Sequence, residues 1–188
     1  LFTDEYGIPH AGVQVDDHIE VLKISVTATR FKNWVRRTIY KESGNLIDTS
    51  TLNDIIGILS AEAEFNPECP TINLALRVAN IEDSWYYDLT NKQWEFIKIT
   101  SEGWYKVKND IIFHRYSTTP QVDPVREYPP DILDKFINLF NIQGYKNRLL
   151  LKCYIISLFI PGIPKVILYP HGEEGAGKTA LQELIKTL

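Results

Sequence analysis

The chain has 188 residues, of which 44% are hydrophobic and 23% are charged, and its formal net charge at pH 7 is −4. These proportions are ordinary for a globular protein and argue against a disordered chain. The slightly acidic balance gives no sign of general nucleic-acid binding. The two cysteines are too few for a disulfide framework, and neither they nor the four scattered histidines show the ligand spacing of a zinc site.

The N-terminal residues predict a hairpin followed by two helices. VQVDDHIEVLKI alternates apolar and polar residues around Asp16 and Asp17, which is typical of a β-hairpin. In RFKNWVRRTIYKE, apolar side chains recur on one helical face and cations lie around the other. A second helix is predicted to begin at a Thr49/Ser50 cap, to run through LNDIIGILSAEAEF and to end at Asn66 and Pro67.

The next part of the chain favours strands. Five β-rich runs are separated by turn signals such as Thr90-Asn91 and Glu102-Gly103, and they read TINLALRVA, SWYYDL, QWEFIKIT, WYKV and DIIFHR. Together with the preceding hairpin and helices, they predict an α+β N-terminal module over residues 1–116.

A proline-containing linker is predicted over residues 117–130, followed by a third region over 131–188. This region opens with two predicted helices, DILDKFINLFN and YKNRLLLKCYIISLFI. The apolar run Leu149 to Ile160 contains Lys152 and Ser157 and is too short to span a bilayer, so it predicts a core helix rather than a membrane segment. Cys153 is predicted to be a small buried hydrophobe within that helix.

The chain closes with a glycine-rich motif. The run from Gly172 to Thr179, GEEGAGKT, fits the phosphate-loop spacing G-x-x-x-x-G-K-[ST] without a mismatch. KVILY before it predicts a buried strand, and KTALQELIKTL after it has apolar residues at helical spacing. Strand, loop and helix therefore occur in the order that a phosphate-binding loop requires. An ordinary glycine turn before a helix is the less favoured alternative.

The residue types of the loop suit a nucleotide. Glycines let successive amides turn inward around a phosphate, Lys178 brings a positive charge to the outer phosphates, and the Thr179 hydroxyl suits Mg²⁺. Glu173 and Glu174 are expected to face solvent or a cation, since carboxylates would oppose an anion. No catalytic base can be named. The predicted ATP- and Mg²⁺-binding residues are Gly172, Gly175, Ala176, Gly177, Lys178, Thr179 and Ala180.

A family resemblance extends over nearly the whole chain. It is carried by LFTDEYGIPHAGV, FKNWVRRTIYKESG, WYYDLTNKQWEFIKITSEGWYKV, FHRYSTTPQVDPV and LLLKCYIISLFIPGIPKVILYPHGEEGAGKT. These segments resemble phage- and plasmid-associated P-loop ATPases that are related to the helicase part of primase-helicases. The resemblance implies a replication-associated ATPase that is a homo-oligomer when complete. It also implies the start of an α/β P-loop NTPase domain after the α+β module.

The acidic strand, sensor residues and arginine finger of such an ATPase are expected beyond Leu188. Because the sequence also begins at Leu1 and contains no methionine, we expect an interior fragment whose P-loop domain is truncated and which is inactive alone. With no signal peptide in view, a cytoplasmic location is expected.

Two other functions are compatible with the sequence. One is a nucleotide-switched module that binds protein or DNA without unwinding activity, and the other is a different P-loop class such as a RecA-like ATPase. Single-stranded DNA is a further candidate partner, through Arg36 and Arg37 of the first helix or through the aromatic strands. For those residues a solvated helix face and core packing are the more common explanations.

Overall fold

A computed structural model describes residues 1–108, 113–115 and 120–187. Helices and antiparallel sheets occur together, so the chain is an α+β protein. The chain divides into two compact units. Unit 1 contains residues 1–76 and the described part of 108–116, and unit 2 contains residues 77–107 and the described part of 117–188. The domain bounds expected from the sequence, 1–116, 117–130 and 131–188, stay a prediction.

Unit 1 contains a three-stranded sheet in the order β1-β2-β3, formed by Phe2–Thr3, Pro9–Val15 and His18–Lys23. Both strand pairs are antiparallel. The predicted hairpin is confirmed, because Val15 pairs with His18 and leaves a two-residue turn. In that turn Asp16 has a φ of 49°, a left-handed conformation that aspartate tolerates and that two-residue hairpin turns require.

Helices α1 (Thr29–Ser43) and α2 (Thr49–Phe65) follow the sheet and confirm both helix predictions. The predicted cap of α2 was misplaced, because Asp48 and not Thr49 or Ser50 is the N-cap residue. Its carboxylate accepts from the Thr51 amide at 3.0 Å and from the Thr51 hydroxyl at 2.7 Å. A carboxylate one residue earlier reaches an otherwise unpaired amide of the first turn.

The core of unit 1 lies between the two helices and strands β2 and β3. Helix α1 contributes Phe31 and Val35, as its apolar spacing predicts, with Trp34 and Ile39 packed against the core edge. The buried cluster consists of Ala11, Val13, Leu22, Ile24, Phe31, Val35, Leu52, Ile56 and Ala63.

Unit 2 begins with a four-stranded sheet in the order β4-β5-β6-β7, formed by Val78–Ile81, Ser84–Asp88, Glu95–Thr100 and Gly103–Lys108. The β4–β5 and β5–β6 pairs are antiparallel. The predictions for SWYYDL, QWEFIKIT and WYKV are therefore confirmed to within two residues at either end.

The predicted strand TINLALRVA is wrong over most of its length. Thr71 and Ala75 form only isolated bridges, to Thr3 and Phe113, and a strand begins at Val78. The segment makes short contacts with separated parts of unit 1, such as the Ile72 amide donating to the Thr3 carbonyl at 2.8 Å. Isolated pairings of this kind cannot be read from local sequence. In the predicted strand DIIFHR, residues 110–112 lie outside the described part of the chain.

Three helices complete unit 2, namely α3 (Ile132–Ile137), α4 (Tyr145–Leu158) and α5 (Lys178–Lys186). They share a buried cluster of Ile137, Leu151, Ile155, Leu181 and Ile185. Helix α3 is shorter than predicted, since its regular hydrogen bonding ends before Asn138. Within the described residues, no helix combines the length and the apolar content needed to cross a membrane.

Cys153 is exposed, so the prediction that it is buried was wrong. Leu151 and Ile155 lie two residues before and after it and form the buried face of α4. Two residues along a helix turn the side chain by roughly 200°, which places Cys153 on the opposite face. The apolar run of α4 therefore forms a helix with one buried face, and not a helix that is buried on all sides.

The prediction of a buried strand over Lys165 to Tyr169 was also wrong. These residues are irregular, and Ile167 and Tyr169 are 94% and 83% exposed. Leu168 alone packs against the helical cluster of unit 2. A strand requires a neighbour that satisfies its amides and carbonyls, and no described residue forms a ladder with this segment.

Candidate functional site

The glycine loop, residues 172–177, leads from the exposed segment into α5. Gly172, Gly175 and Gly177 have φ values of 154°, 78° and 77°. Side chains disfavour these values, so glycine is needed for the backbone path itself. A Cβ at Gly172 would also touch the Ala176 Cβ at 3.5 Å, whereas Gly175 and Gly177 face open space. The sequence therefore encodes a specific turn and not merely a flexible one.

Backbone amides that meet no acceptor among the described residues lie where the glycine loop enters α5. Gly177 is the N-cap of α5, and the first helical hydrogen bond runs from the Leu181 amide to its carbonyl at 3.0 Å. The amides of Lys178, Thr179 and Ala180 precede that bond and meet no acceptor among the described residues. Such amides, together with the positive end of the helix dipole, favour an anion.

Lys178 folds back over the loop from the first turn of α5. Its Nζ donates to the Gly172 carbonyl at 3.0 Å and to the Glu173 carbonyl at 2.7 Å. The side chain therefore connects the start of the loop to the first turn of α5, where the free amides lie. The Ala176 amide donates to the Glu173 carbonyl at 3.3 Å and closes the loop a second time.

A concave pocket of about 390 Å³ lies at this junction. Lys178 supplies the positive charge of its lining and Glu174 the negative charge. All predicted site residues except Gly172 line it, and Gly172 contributes the carbonyl that holds Lys178. The structure therefore brings the predicted residues together around one cavity, whose lining is Glu174, Gly175, Ala176, Gly177, Lys178, Thr179 and Ala180.

The two glutamates of the loop differ in position. Glu174 lines the pocket, whereas Glu173 contributes its carbonyl to Lys178 and is absent from the lining. Both residues are exposed. Glu174 is therefore the carboxylate whose charge would act on a bound anion.

The end of α5 is connected to the sheet of unit 2 through Gln121. Its side-chain amide donates to the Thr187 carbonyl at 2.9 Å, and its backbone amide donates to the Leu89 carbonyl at 2.8 Å. Thr187 is the C-cap of α5, and Leu89 directly follows β5. One residue of the proline-containing segment thus contacts both the helix of the glycine loop and the sheet. Nothing in the sequence singles out this glutamine.

The same segment contacts β7 at two further points. Asp123 receives the Lys106 ammonium at 2.6 Å, and this contact raises the pKa of Lys106. The Arg126 guanidinium lies 4.3 Å from the centre of the Trp104 ring and donates to the Trp104 carbonyl at 3.2 Å. The described residues of the predicted linker therefore run along the sheet.

Some of the residues considered for DNA binding are engaged within their own units, whereas Trp85 and Tyr105 are exposed. Arg37 pairs with Asp16 at 3.7 Å, and Arg36 donates to the Thr49 hydroxyl at 3.1 Å. Among the strand aromatics, Tyr86 is buried and Trp104 is covered by Arg126. These contacts reduce the number of cations and ring faces that a nucleic acid could reach.

Within the described ranges, no group of three or more histidine, cysteine, aspartate or glutamate residues could hold a metal ion. Two histidines meet in unit 1, where the His10 and His114 rings lie 5.6 Å apart, edge to face. Burial, and secondarily the nearby His10, lowers the pKa of His114, while Asp4 opposes the shift.

Comparison with family models, curated proteins and solved structures gives no match. The functional argument therefore depends on the loop, its lysine and the elements that hold them.

Proposed function

We propose that the glycine loop binds the phosphates of ATP together with Mg²⁺. The observation that carries this proposal is that one pocket is lined by the three residues whose amides meet no acceptor among the described residues, and that one of these residues is Lys178. Amides at a helix N-terminus bind phosphate without any side chain, and a lysine beside them adds a full positive charge. Neither component alone would distinguish a nucleotide site from an ordinary helix start.

The residues present fit the nucleotide and its metal. The amides of Lys178, Thr179 and Ala180 would hold a phosphate, and Lys178 would exchange its carbonyl contacts for phosphate oxygens. Thr179 is exposed at the pocket, so its hydroxyl is available to Mg²⁺. When bound, Mg²⁺ neutralises phosphate charge. No described residue is assigned as a catalytic base.

We further propose that the complete protein is a replication-associated, helicase-like ATPase of phage or plasmid type that acts as a homo-oligomer. The family resemblance and the order of the glycine loop and helix support this assignment.

A nucleotide-controlled switch without unwinding activity is the second candidate. The contacts of Gln121 favour it, because they connect the last turn of α5 to the sheet and so provide a route from the nucleotide to the rest of unit 2. ATP hydrolysis by the complete protein separates the two candidates. Stimulation by single-stranded DNA supports the motor, and hydrolysis indifferent to DNA supports the switch.

Calorimetric titration with ATP and Mg²⁺ tests nucleotide binding directly. Lys178→Ala should weaken binding about tenfold or more, because a charge-assisted contact to phosphate is lost. Lys186→Ala is the matched control, since it removes the same charge from an exposed position on the same helix. Equal losses of ATP affinity in the two variants would show that binding depends only on the overall charge of the helix. That result would contradict a nucleotide site at the glycine loop.

Thr179→Val provides a test of the metal in the same site. It should reduce the affinity for ATP with Mg²⁺ while leaving the affinity for ATP with EDTA nearly unchanged, because only the hydroxyl is removed. Equal losses of affinity under both conditions would indicate a distorted loop and would contradict the binding of Mg²⁺ by Thr179.

A further inference from the structure

Helix α2 carries an apolar strip on the side that faces away from the core. Ile58 and Phe65 are 69% and 75% exposed, and Ala61 between them is exposed as well. The spacing of three and four residues places all three on one helical face. The buried residues of α2, which include Leu52 and Ile56, occupy the opposite face. We define Ile58, Ala61 and Phe65 as the α2 strip.

The α2 strip forms one side of an open cavity of about 550 Å³. Glu62 and the residues that end the helix, Asn66 and Pro67, complete the lining. The cavity is shallow, and its lining extends over the last two turns of α2 and combines apolar with polar residues. Large apolar side chains exposed together on one surface are typical of interaction sites.

Carboxylates surround the α2 strip. By helical position, Asp54 lies at its N-terminal end, Glu62 on one side and Glu64 on the other. Residues 49–65 include no lysine, arginine or histidine. Asp54 and Glu64 meet no cation among the described residues. Two cations of the neighbouring α1, Arg30 and Arg37, are already paired with other carboxylates. The α2 strip is therefore flanked by carboxylates whose negative charge is not neutralised by a described cation.

We propose that the α2 strip is the docking site for a basic amphipathic helix of another protein. The apolar face of such a helix would cover Ile58, Ala61 and Phe65, and its flanking lysines or arginines would meet the carboxylates on either side. Burying the apolar face of an amphipathic helix against a hydrophobic surface is an established mode of peptide recognition, and complementary charges fix its register.

A second copy of this chain fits the α2 strip less well. Two α2 helices packed on each other would place unpaired carboxylates against carboxylates. The exposed side of α1 is basic, but Tyr40 is its single large exposed ring, among Arg36, Arg37 and Lys41. It therefore lacks the continuous apolar face needed to cover the α2 strip.

The test uses two synthetic helical peptides and fluorescence anisotropy with the whole chain. Both peptides have the same leucine face, and the remaining positions are lysine in one and glutamate in the other. The lysine peptide should bind, and the glutamate peptide should bind at least tenfold more weakly. Phe65→Ser should weaken the lysine peptide about tenfold, since truncating a central apolar anchor removes most of the contact. Leu46→Ser, an exposed leucine before α2, is the matched control.

The charge contribution is tested with Asp54→Asn/Glu64→Gln against Glu42→Gln on α1, which changes an exposed carboxylate elsewhere. The first variant should flatten the salt dependence of binding, and the second should not. Equal effects of Phe65→Ser and Leu46→Ser would overturn the proposal, as would equal binding of both peptides or no binding. A dimer by ultracentrifugation that dissociates on Phe65→Ser would assign the α2 strip to self-association instead.

Discussion

Two neighbouring glutamates of the glycine loop have different consequences for a bound anion. Glu174 lines the pocket and Glu173 does not, although both are exposed. Glu174→Gln should therefore raise the affinity for ATP with Mg²⁺ roughly twofold at low salt, with the gain shrinking as salt increases. Glu173→Gln should leave the affinity equal or slightly improved. Calorimetry at two salt concentrations measures both effects.

A different result for Glu174 would change the description of the site. If Glu174→Gln lost binding as severely as Lys178→Ala, the carboxylate would bind the metal or hold the loop closed. Its position in the lining would then be a functional requirement and not a source of repulsion.

A single histidine should make unit 1 sensitive to mild acid. Burial lowers the pKa of His114 below its ordinary 6.5, so the unfolded chain takes up this proton more readily than the folded chain. The uncharged His114 therefore contributes to the free energy of unfolding above pH 6.5. This contribution is lost as the pH falls through the lowered pKa of His114. His10, at 5.6 Å, lowers the pKa further, and Asp4 partly offsets the shift.

His114→Gln should therefore reduce the fall in Tm between about pH 7.5 and 5.5, by roughly one or two degrees. His171→Gln is the control, because His171 is exposed. Circular dichroism melts over this range give the comparison, and an identical fall in wild type and His114→Gln would exclude the assigned role.

At the scale of elements, α2 depends on its cap. Hydrogen bonds from the hydroxyl and then the amide of Thr51 lower the pKa of Asp48 below its ordinary 3.8. The stabilising effect is thus present above about pH 4 and is lost as the pH falls through the lowered pKa. Asp48→Ala should lower the Tm by a margin that stays constant between about pH 5 and 7 and shrinks in stronger acid.

The matched control is Asp54→Ala, which removes an exposed carboxylate from the interior of the same helix. Asp48→Asn should retain most of the stability that the cap provides, because asparagine also caps helices. In this variant the stability of the cap should not be lost in acid. A margin for Asp48→Ala that does not change with pH would show that the carboxylate charge contributes nothing to the cap.

The sequence correctly predicted the elements whose conformation depends on residues close together in the chain. The hairpin around Asp16 and Asp17 and the helices α1, α2 and α4 follow from periodicity and from turn residues that act within a few positions. The segments 71–77 and 165–169 have the composition of strands without forming ladders. The conformation of such a segment depends on whether residues distant in the sequence pair with it, and no local window contains that information.

The candidate site shows the same limit. Its glycines, Lys178 and Thr179 form a motif with fixed spacing, so the sequence indicated them directly. Gln121 could not be found in this way, because its role depends on a contact with Thr187, which is 66 residues away. The α2 strip was missed for another reason. An apolar residue in an amphipathic pattern suggests burial, and only the packing of α2 shows that Ile58 and Phe65 are exposed.

For the whole molecule, the exposed segment before the glycine loop affects how the protein behaves in concentrated solution. Val166, Ile167 and Tyr169 are exposed together, and β-branched and aromatic residues of this kind form cross-β aggregates readily. Ile167→Lys should raise the concentration at which light scattering begins, and Leu46→Lys should not. Equal onset in both variants would exclude this segment as the site of aggregation.

Pro164 and Pro170 enclose this segment, and a proline cannot donate to a growing ladder. The two prolines therefore limit any intermolecular β-pairing to the five residues between them. Each strand of such an aggregate would contain at most these five residues, fewer than the roughly six or seven of a stable steric zipper, so the aggregates should dissolve on dilution. The two prolines would then protect a chain in which this apolar segment is exposed.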